Sequence, residues 1–283
     1  MKFWKAIGVA LISSLLVVTA GCSSSSSDKQ SASGEQSTKK VLKYRVMPTA
    51  TSDLFEAGIK PILEKKGYKL EAVHIKDSVQ REMALEEGQI DFHVDAHQAW
   101  IDAINASKGT HLTTVLDTPT VPTGIYSGSK TALDEVADGD TILVPNDASN
   151  LARSYQLLSH LGWISLDPSK DINHVTAADI TANPKNLNFK EMKGPTIASV
   201  RTDAAYIILR GSDAYNAKID FNSVLYPETA KDINKKMYMA LCINEKNKDT
   251  QWVKDIIAAY KSPEFKEFMK TQGSFWILPD YLR

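Results

Sequence analysis

The sequence predicts an α/β protein with mainly parallel sheets, divided between two lobes. From residue 41 onwards, segments with strand character alternate with segments of helical periodicity, a pattern typical of α/β folds. Residues 113–127 and 222–228 contain proline and little helical signal, so they are candidates for crossovers between the lobes. We therefore expect one lobe built from both ends of the folded chain and one from its middle: lobe 1 from 41–120 with 229–283, and lobe 2 from 121–228.

Individual elements follow from apolar periodicity and from the glycines and prolines near their ends. Apolar runs and alternation predict strands at 41–46, 69–75, 90–94, 141–144, 206–209 and 237–243. Helical spacing predicts helices at 53–66, 79–87, 96–106, 149–161, 249–260 and 263–271. Pro61 lies inside the first of these helices, so we expect that helix to be kinked or to start late.

Residues 1–21 have the features of a removable signal peptide. Lys2 and Lys5 give a positive start, and the apolar run 6–18 is too short to span a bilayer core of ~30 Å as a lasting helix. The small residues that follow lead to Cys22, as in bacterial lipoproteins in which the cysteine thiol is acylated. A plain signal peptide with an incidental cysteine is the alternative.

Residues 22–40 are rich in serine and contain no aromatic or branched apolar side chain. Such a segment cannot bury enough surface to offset its ordering entropy, so we expect a lipidated, flexible tether. Acyl chains on Cys22 would hold the protein on the extracytoplasmic face of the cell membrane.

Composition excludes several classes of function. Lys and Arg number 33 against 34 Asp and Glu, which gives no electrostatic case for binding nucleic acid. Cys242 is the only cysteine besides Cys22 and lies in an apolar run, so we expect a buried thiol and no disulfide framework. Motifs of serine hydrolases, metalloproteases, P-loop proteins and dinucleotide-binding proteins are absent from the sequence. We therefore predict neither catalytic residues nor a cofactor.

The sharpest local motif is a predicted strand, loop and helix at 142–158. The loop after Pro145 supplies four candidate N-caps, Asn146, Asp147, Ser149 and Asn150. The positive end of a helix dipole suits an anion, and it disfavours a cation such as Arg153 in the first turns. A ligand carboxylate or a nearby acid would explain Arg153. The alternatives are a solvated arginine or an ion pair with Asp147.

A second motif places His93, Asp95 and His97 two residues apart. On an extended chain they would share a face and could ligate a metal. The alternative is that Asp95 caps the following helix and that His97 is a polar residue at the edge of the strand. No cluster of Cys or Glu supports a metal, so we predict no metal site.

At these motifs the chain resembles the NlpA/MetQ-type lipoproteins, the methionine-binding components of ABC importers. The resemblance covers nearly all of the folded part, in particular 64–68, 84–91, His97, 124–127, 145–150, Arg153 and 183–187. It implies a two-lobed type II periplasmic-binding-protein fold with the ligand in the cleft between the lobes. It also implies an ABC permease and ATPase as partners, and we expect the protein itself to be a monomer.

The resemblance assigns roles to single residues. Arg153 matches the family's carboxylate-binding arginine, and His97 matches the histidine of its Phe-Gln-His motif. Ser78 stands where the family has tyrosine, residues 93–97 lack the family's aromatic side chains, and 210–212 read Arg-Gly-Ser in place of Asn-Gly-Asn. The carboxylate anchor is kept, whereas the side-chain pocket becomes polar.

We therefore expect a membrane-anchored lipoprotein that captures a small carboxylate-bearing solute by closure of the two lobes. An amino acid or short peptide fits this description, with methionine itself disfavoured. The predicted ligand-binding residues are Ser78, Asp95, His97, Asn150, Arg153, Arg210 and Ser212. The alternative is a surface lipoprotein with a vestigial cleft that acts in adhesion or signalling. An anchored hydrolase is least favoured, because no nucleophile–base pair is visible.

Overall fold

The computed structural model describes residues 39–283, so the predicted signal peptide and Cys22 lie outside the described residues. In chain order the strands are β1 (Val41–Val46), β2 (Lys69–His74), β3 (Phe92–His97), β4 (Leu112–Asp117), β5 (Gly124–Ser127), β6 (Thr141–Pro145), β7 (Ser165–Leu166), β8 (Ile180–Ala182), β9 (Asn188–Met192), β10 (Tyr206–Leu209), β11 (Tyr226–Pro227) and β12 (Met239–Asn244).

The α-helices are α1 (Ala50–Leu54), α2 (Lys60–Lys65), α3 (Ser78–Glu86), α4 (Gln98–Lys108), α5 (Ala148–His160), α6 (Gly194–Ile197), α7 (Gly211–Asn216), α8 (Gln251–Tyr260) and α9 (Pro263–Lys270). Among residues 39–283, no helix combines the length and apolar character needed to cross a bilayer.

Two five-stranded sheets form the frameworks of two lobes. The sheet of lobe 1 has the order β2-β1-β3-β12-β4, and the sheet of lobe 2 has the order β11-β5-β10-β6-β9. In each sheet two strand pairings are parallel and two are antiparallel. The prediction of mainly parallel sheets is therefore wrong. Strands that leave or re-enter a lobe through a crossover, such as β4 and β12, pair antiparallel with their neighbours.

The crossovers join the two sheets. After β4 the chain passes through Thr118 and Thr123 into β5, and after β11 it returns through Glu228 to β12. The backbone N–H of Glu228 donates to the carbonyl of Thr123 at 2.8 Å, so the outgoing and returning segments are bonded to each other. The predicted residue boundaries of the lobes remain a prediction.

Each sheet is covered by helices over its own apolar core. In lobe 1, Tyr44, Phe55, Phe92 and Trp252 belong to one buried cluster, in which the rings of Tyr44 and Phe92 stack with centroids 5.7 Å apart. In lobe 2 the cluster includes Tyr155 of α5, which packs against β6 and β10. Helix α5 is thus held firmly against its sheet, with its first turn at the edge that faces lobe 1.

The structure differs from the predicted elements at β3. This strand runs to His97, whereas the sequence suggested an end at Val94. Strand β3 is paired on both edges, by β1 and β12, and its side chains are buried on both faces. Polar side chains in its second half are therefore buried by tertiary contacts that the local pattern does not show. The N-cap of α4 is accordingly His97, and Asp95 lies within the strand.

The predicted helix at 53–66 begins earlier and is interrupted. Thr49 caps α1, and a π-helical turn (Phe55–Ile59) separates α1 from α2, which carries Pro61 in its first turn. The backbone N–H of Lys60 donates to the carbonyl of Phe55, five residues earlier, which is the hydrogen bond of a π-helix. This wider turn comes just before Pro61, which has no N–H to donate.

Gly58 in the π-helical turn has no room for a side chain. A Cβ atom at this position would lie 2.8 Å from the buried ring of Phe265 and 2.6 Å from the ring of Phe268. We expect Gly58→Ala to lower the free energy of unfolding by about 1–3 kcal/mol through overpacking. Urea denaturation measures this loss, with the exposed neighbour Ala57→Ser as the control, and equal stability of both variants would contradict the prediction.

Candidate functional site

A cavity of about 130 Å³ lies between the two lobes. Lobe 1 contributes residues from β1 and β3, and lobe 2 contributes residues from the first turns of α5 and α7. All seven residues predicted to bind ligand line this one cavity: Ser78, Asp95, His97, Asn150, Arg153, Arg210 and Ser212. Their contacts with a ligand remain a prediction.

Arg153 of α5 is 4% exposed and bonds to a carboxylate that the sequence did not identify. Its Nε donates to Glu228 Oε1 at 2.9 Å, and its Nη2 donates to Glu228 Oε2. The two alternatives of a solvated Arg153 and an ion pair with Asp147 are therefore wrong. Within the described residues Nη1 of Arg153 has no acceptor, so this nitrogen remains available on the cavity side.

Glu228 connects Arg153 to the crossovers. Besides the guanidinium of Arg153, its Oε2 receives the backbone N–H of Thr123 at 3.3 Å, and Glu228 itself is buried. Arg153 is thereby held both by its own helix and by the segments that join the lobes.

The N-terminus of α5 is already occupied by a carboxylate. Asp147 is its N-cap, and Asp147 Oδ1 accepts from the backbone N–H of Asn150 at 3.1 Å and from its side-chain amide at 2.7 Å. This negative group satisfies the positive end of the helix. The prediction of a ligand carboxylate therefore depends on Arg153 rather than on the helix terminus.

His97 bridges the lobes in a neutral state. Its Nδ1 accepts the backbone N–H of Trp100 at 3.1 Å, so Nε2 carries the proton and donates to Asn150 Oδ1 at 3.4 Å. Burial, reinforced by repulsion from Arg153, lowers the pKa of His97 to about 3. His97 is therefore an uncharged donor at the floor of the cavity.

Asp95 is an internal carboxylate with little capacity left for a ligand. It accepts from Arg45 Nη1 at 2.7 Å and from the hydroxyls of Thr49, Thr51 and Ser52 at 2.6, 2.7 and 3.0 Å. Burial alone would raise the pKa of Asp95, but the charges of Arg45 and Arg81 and the hydroxyls of Thr49 and Thr51 hold it below its usual value. This geometry does not support the predicted contact with a ligand amine.

His93 faces a buried charge pair beneath the cavity. Its Nε2 lies 2.7 Å from Glu82, which also forms an ion pair with Arg81, and its Nδ1 accepts the backbone N–H of Asp95 at 3.3 Å. Both ring nitrogens are thus engaged within the protein. Among residues 39–283, no group of three His, Cys, Asp or Glu side chains is placed to hold a metal ion.

The remaining predicted residues lie on lobe 2 and at the start of α3. Arg210 donates through Nε and Nη2 to Asp213 at 2.6 and 2.8 Å, and its Nη1 lies 3.8 Å from Asp147. Ser78 and Ser212 make no side-chain hydrogen bond to the described part of the chain and are free to meet a ligand. Ser78 is the first residue of α3, and Ser212 is the second residue of α7.

Sequence reasoning missed several cavity residues. Arg45, Lys76 and Arg81 add cationic groups from lobe 1, and Met47 and Met239 add apolar surface. None of them belongs to a local motif, because strands that are far apart in sequence bring them together. The pocket is therefore less uniformly polar than the motifs alone indicate.

Solved structures share this architecture. A protein from Ruminococcus gnavus ATCC 29149 is 33% identical, with a TM-score of 0.79, over 85% of this chain and 100% of its own. A nutrient-binding protein from Burkholderia cenocepacia, solved with methionine bound, is 27% identical with a TM-score of 0.75, over 84% of this chain and 99% of its own. Two lobes with a cavity between them correspond to the predicted type II periplasmic-binding-protein fold, which these structures confirm.

Sequence comparison identifies the family. The family model described as NlpA lipoprotein matches residues 42–277. The D-methionine-binding lipoprotein MetQ of Salmonella typhi is 31% identical over 94% of this chain and 93% of its own length. The chain belongs to the NlpA lipoprotein family, which confirms the resemblance seen in the motifs.

The burial of His97 predicts a loss of stability in mildly acidic solution. Its pKa is about 3 in the folded protein and 6.5 ordinarily, so below pH 6.5 the unfolded chain takes up a proton that the folded protein does not. The free energy of unfolding therefore falls as the pH drops from 6.5 towards 3. Between pH 6.5 and 4.5 this group accounts for about 2 kcal/mol.

His97→Asn tests this assignment because asparagine keeps a helix N-cap but does not titrate. We expect the free energy of unfolding, measured by urea denaturation, to change less between pH 6.5 and 4.5 in the variant. His93, whose pKa is also lowered by burial, contributes equally to both proteins. The same pH dependence in both proteins would contradict the prediction.

Proposed function

We propose that the protein is the membrane-anchored substrate-binding lipoprotein of an ABC importer, and that its cavity captures a small carboxylate-bearing solute. An amino acid or a short peptide belongs to this class. The lobes would close around the ligand and present it to a permease driven by an ATPase. Family membership supports binding rather than catalysis as the activity.

The observation that carries the proposal is the free Nη1 of Arg153. This guanidinium is 4% exposed, lines the cavity and is oriented by Glu228 on its other side. An arginine held in this way offers a charge-assisted hydrogen bond to a carboxylate. His97 and Asn150, beside it, supply uncharged polar groups for the rest of the ligand.

Methionine is not the ligand we favour. Several relatives are named as D-methionine-binding lipoproteins, but this chain has Val94 and Asp95 at the two aromatic positions of the family motif. An apolar side chain gains ~0.8 kcal/mol for each buried CH₂, and charged groups around the cavity reduce that gain. Met47 and Met239 give the ligand an apolar contact of limited extent.

One observation favours the alternative of a vestigial cleft in a surface lipoprotein for adhesion or signalling. The four arginines that line the cavity each bond to a carboxylate of the protein, so these four guanidinium groups have counter-ions without a ligand. The two functions differ in the response to ligands, because a vestigial cleft would bind none of them.

The proposed location rests on the sequence around Cys22 and on relatives named as lipoproteins. Acylation of Cys22 would anchor the chain, and two acyl chains hold a protein stably on a bilayer.

A thermal-shift panel of natural L-amino acids and dipeptides tests the binding function. A ligand at a hundred times its Kd stabilises the fold by ~2.7 kcal/mol, which is a melting shift of roughly 5–10 °C in a body of this size. We expect a polar amino acid or a small carboxylate to give this shift and L-methionine to bind weakly at best. A submicromolar Kd for L-methionine with no response to polar ligands would refute this preference.

Arg153→Ala tests the anchor with whichever ligand the panel identifies. Loss of one partner of a buried charged pair costs ~2–5 kcal/mol, so the affinity measured by calorimetry should fall roughly thirtyfold or more. Arg201→Ala is the matched control, because Arg201 is an exposed arginine outside the cavity. Circular dichroism verifies that each variant is folded, and an unchanged Kd in folded Arg153→Ala would sink the assignment.

Cys22→Ala tests the anchor to the membrane. We expect the wild-type protein to partition with membranes and to carry acyl mass in intact-protein mass spectrometry, whereas the variant should be found in the soluble fraction. Equal partitioning of both proteins, together with an unmodified Cys22, would show that the protein is not a lipoprotein.

A further inference from the structure

The cationic groups of the cavity are not equally compensated. Arg45, Arg81, Arg153 and Arg210 each bond to a carboxylate, namely Asp95, Glu82, Glu228 and Asp213. Lys76 also lines the cavity, yet it has no carboxylate partner anywhere in residues 39–283. The lobe 1 wall of the cavity therefore carries one more cation than its carboxylates neutralise.

Arg45 adds an unused donor to the same wall. It is 4% exposed, its Nε donates to the carbonyl of Ile75 at 3.0 Å, and its Nη1 donates to Asp95 at 2.7 Å. Its Nη2 has no acceptor in the described part of the chain. Because this nitrogen keeps its N–H groups free on the cavity side, a ligand acceptor here would gain a charge-assisted hydrogen bond. Because Arg45 lines the cavity, a ligand can reach it.

The two cations come from adjoining segments of the lobe 1 wall. The carbonyl that Arg45 binds belongs to Ile75, the residue directly before Lys76, so the guanidinium of β1 sits beside the backbone that carries the lysine. Arg153 belongs to α5 in lobe 2. The cavity thus offers free cationic donors in both lobes, one set in each.

We propose that the ligand carries two acidic groups, one bound by Arg153 and the second by Arg45 and Lys76. This class comprises small dicarboxylic acids and amino acids with an acidic side chain. This proposal rests on the proposed function. It adds the chemistry of the part of the ligand that Arg153 does not bind. A monocarboxylic ligand would leave Arg45 Nη2 and Lys76 without a counterpart, whereas a second carboxylate accepts from both.

Acid and amide pairs of equal shape test this proposal. L-glutamate with L-glutamine, and L-aspartate with L-asparagine, differ only in the charge of the side-chain end. At pH 7 we expect calorimetry to show that at least one acid binds ten times more tightly than its amide. Amides that bind as tightly as their acids would overturn the proposal, and so would a failure of both acids and of small dicarboxylic acids to bind at millimolar concentration.

Two variants assign the preference to residues. Lys76→Gln changes an exposed side chain, so it should leave the fold intact, weaken binding of the acid three- to tenfold and thereby reduce the ratio of acid to amide affinity. Arg45→Lys keeps a cation for Asp95 but removes Nη2, so it should also reduce the ratio of acid to amide affinity. Lys43→Gln is the control, because Lys43 is an exposed lysine of β1 outside the cavity. A ratio that is the same in Lys76→Gln, Arg45→Lys and wild type would overturn the assignment.

Arg153→Ala separates this proposal from the proposed function. If the acid and amide affinities are equal and both fall in Arg153→Ala, the carboxylate-binding function stands and the second acidic group is refuted. If the acid is preferred and Arg153→Ala has no effect, the second group stands and the anchor at Arg153 is refuted.

Discussion

The carboxylate of Asp95 lies where β1, β3 and the start of α1 meet, and the lobe 1 wall of the cavity depends on its hydrogen bonds. Arg45 of β1 and the hydroxyls of Thr49, Thr51 and Ser52 all converge on it. Its side chain is 3% exposed. Removing one partner from such a buried ionic cluster leaves an uncompensated charge and is strongly destabilising. The cluster thus fixes the first turn of α1, which brings Ala50 and Thr51 to the cavity.

Pairing of arginine with a carboxylate recurs throughout the cleft and sets its electrostatics. A guanidinium in a buried wall would be costly without a counter-ion, and each of the four arginines has one within the chain. This arrangement keeps the nitrogens charged and fixed in orientation while it limits their net attraction for anions. Selectivity then depends on the few N–H groups left over, and these differ between the two lobes.

Most helices and strands were predictable from the sequence because the spacing of their apolar residues follows the local period of a helix or a strand. The strand of residues 206–209, for example, is found where the apolar run predicts it. Strand β3 was misjudged, since its polar second half is buried by partners from distant segments rather than by a local apolar pattern. The direction of the crossover strands was also misjudged, because strand alternation does not specify which strands return antiparallel.

The cavity residues were predictable where a motif or the family resemblance marked them, as at His97 and Arg153. Their partners were not predictable. Glu228 lies 75 residues from Arg153, and Arg45 lies 50 residues from Asp95, so only the folded chain brings each pair together. Charged residues that stand alone in the sequence form ion pairs within the folded chain. Asp95, predicted as a ligand contact, is one of them and supports the structure from inside.

The bond between Glu228 and Arg153 has a consequence for the order of events in ligand capture. Glu228 lies on the returning crossover and also accepts from Thr123 of the outgoing one, so Arg153 is tied to the axis about which the lobes would rotate. Under the proposed function, Arg153 would keep nearly the same position in the open and the closed arrangement, whereas Arg45 and Lys76 would move with lobe 1. A ligand could then be held by Arg153 before closure, and the groups of lobe 1 would be added as the lobes close.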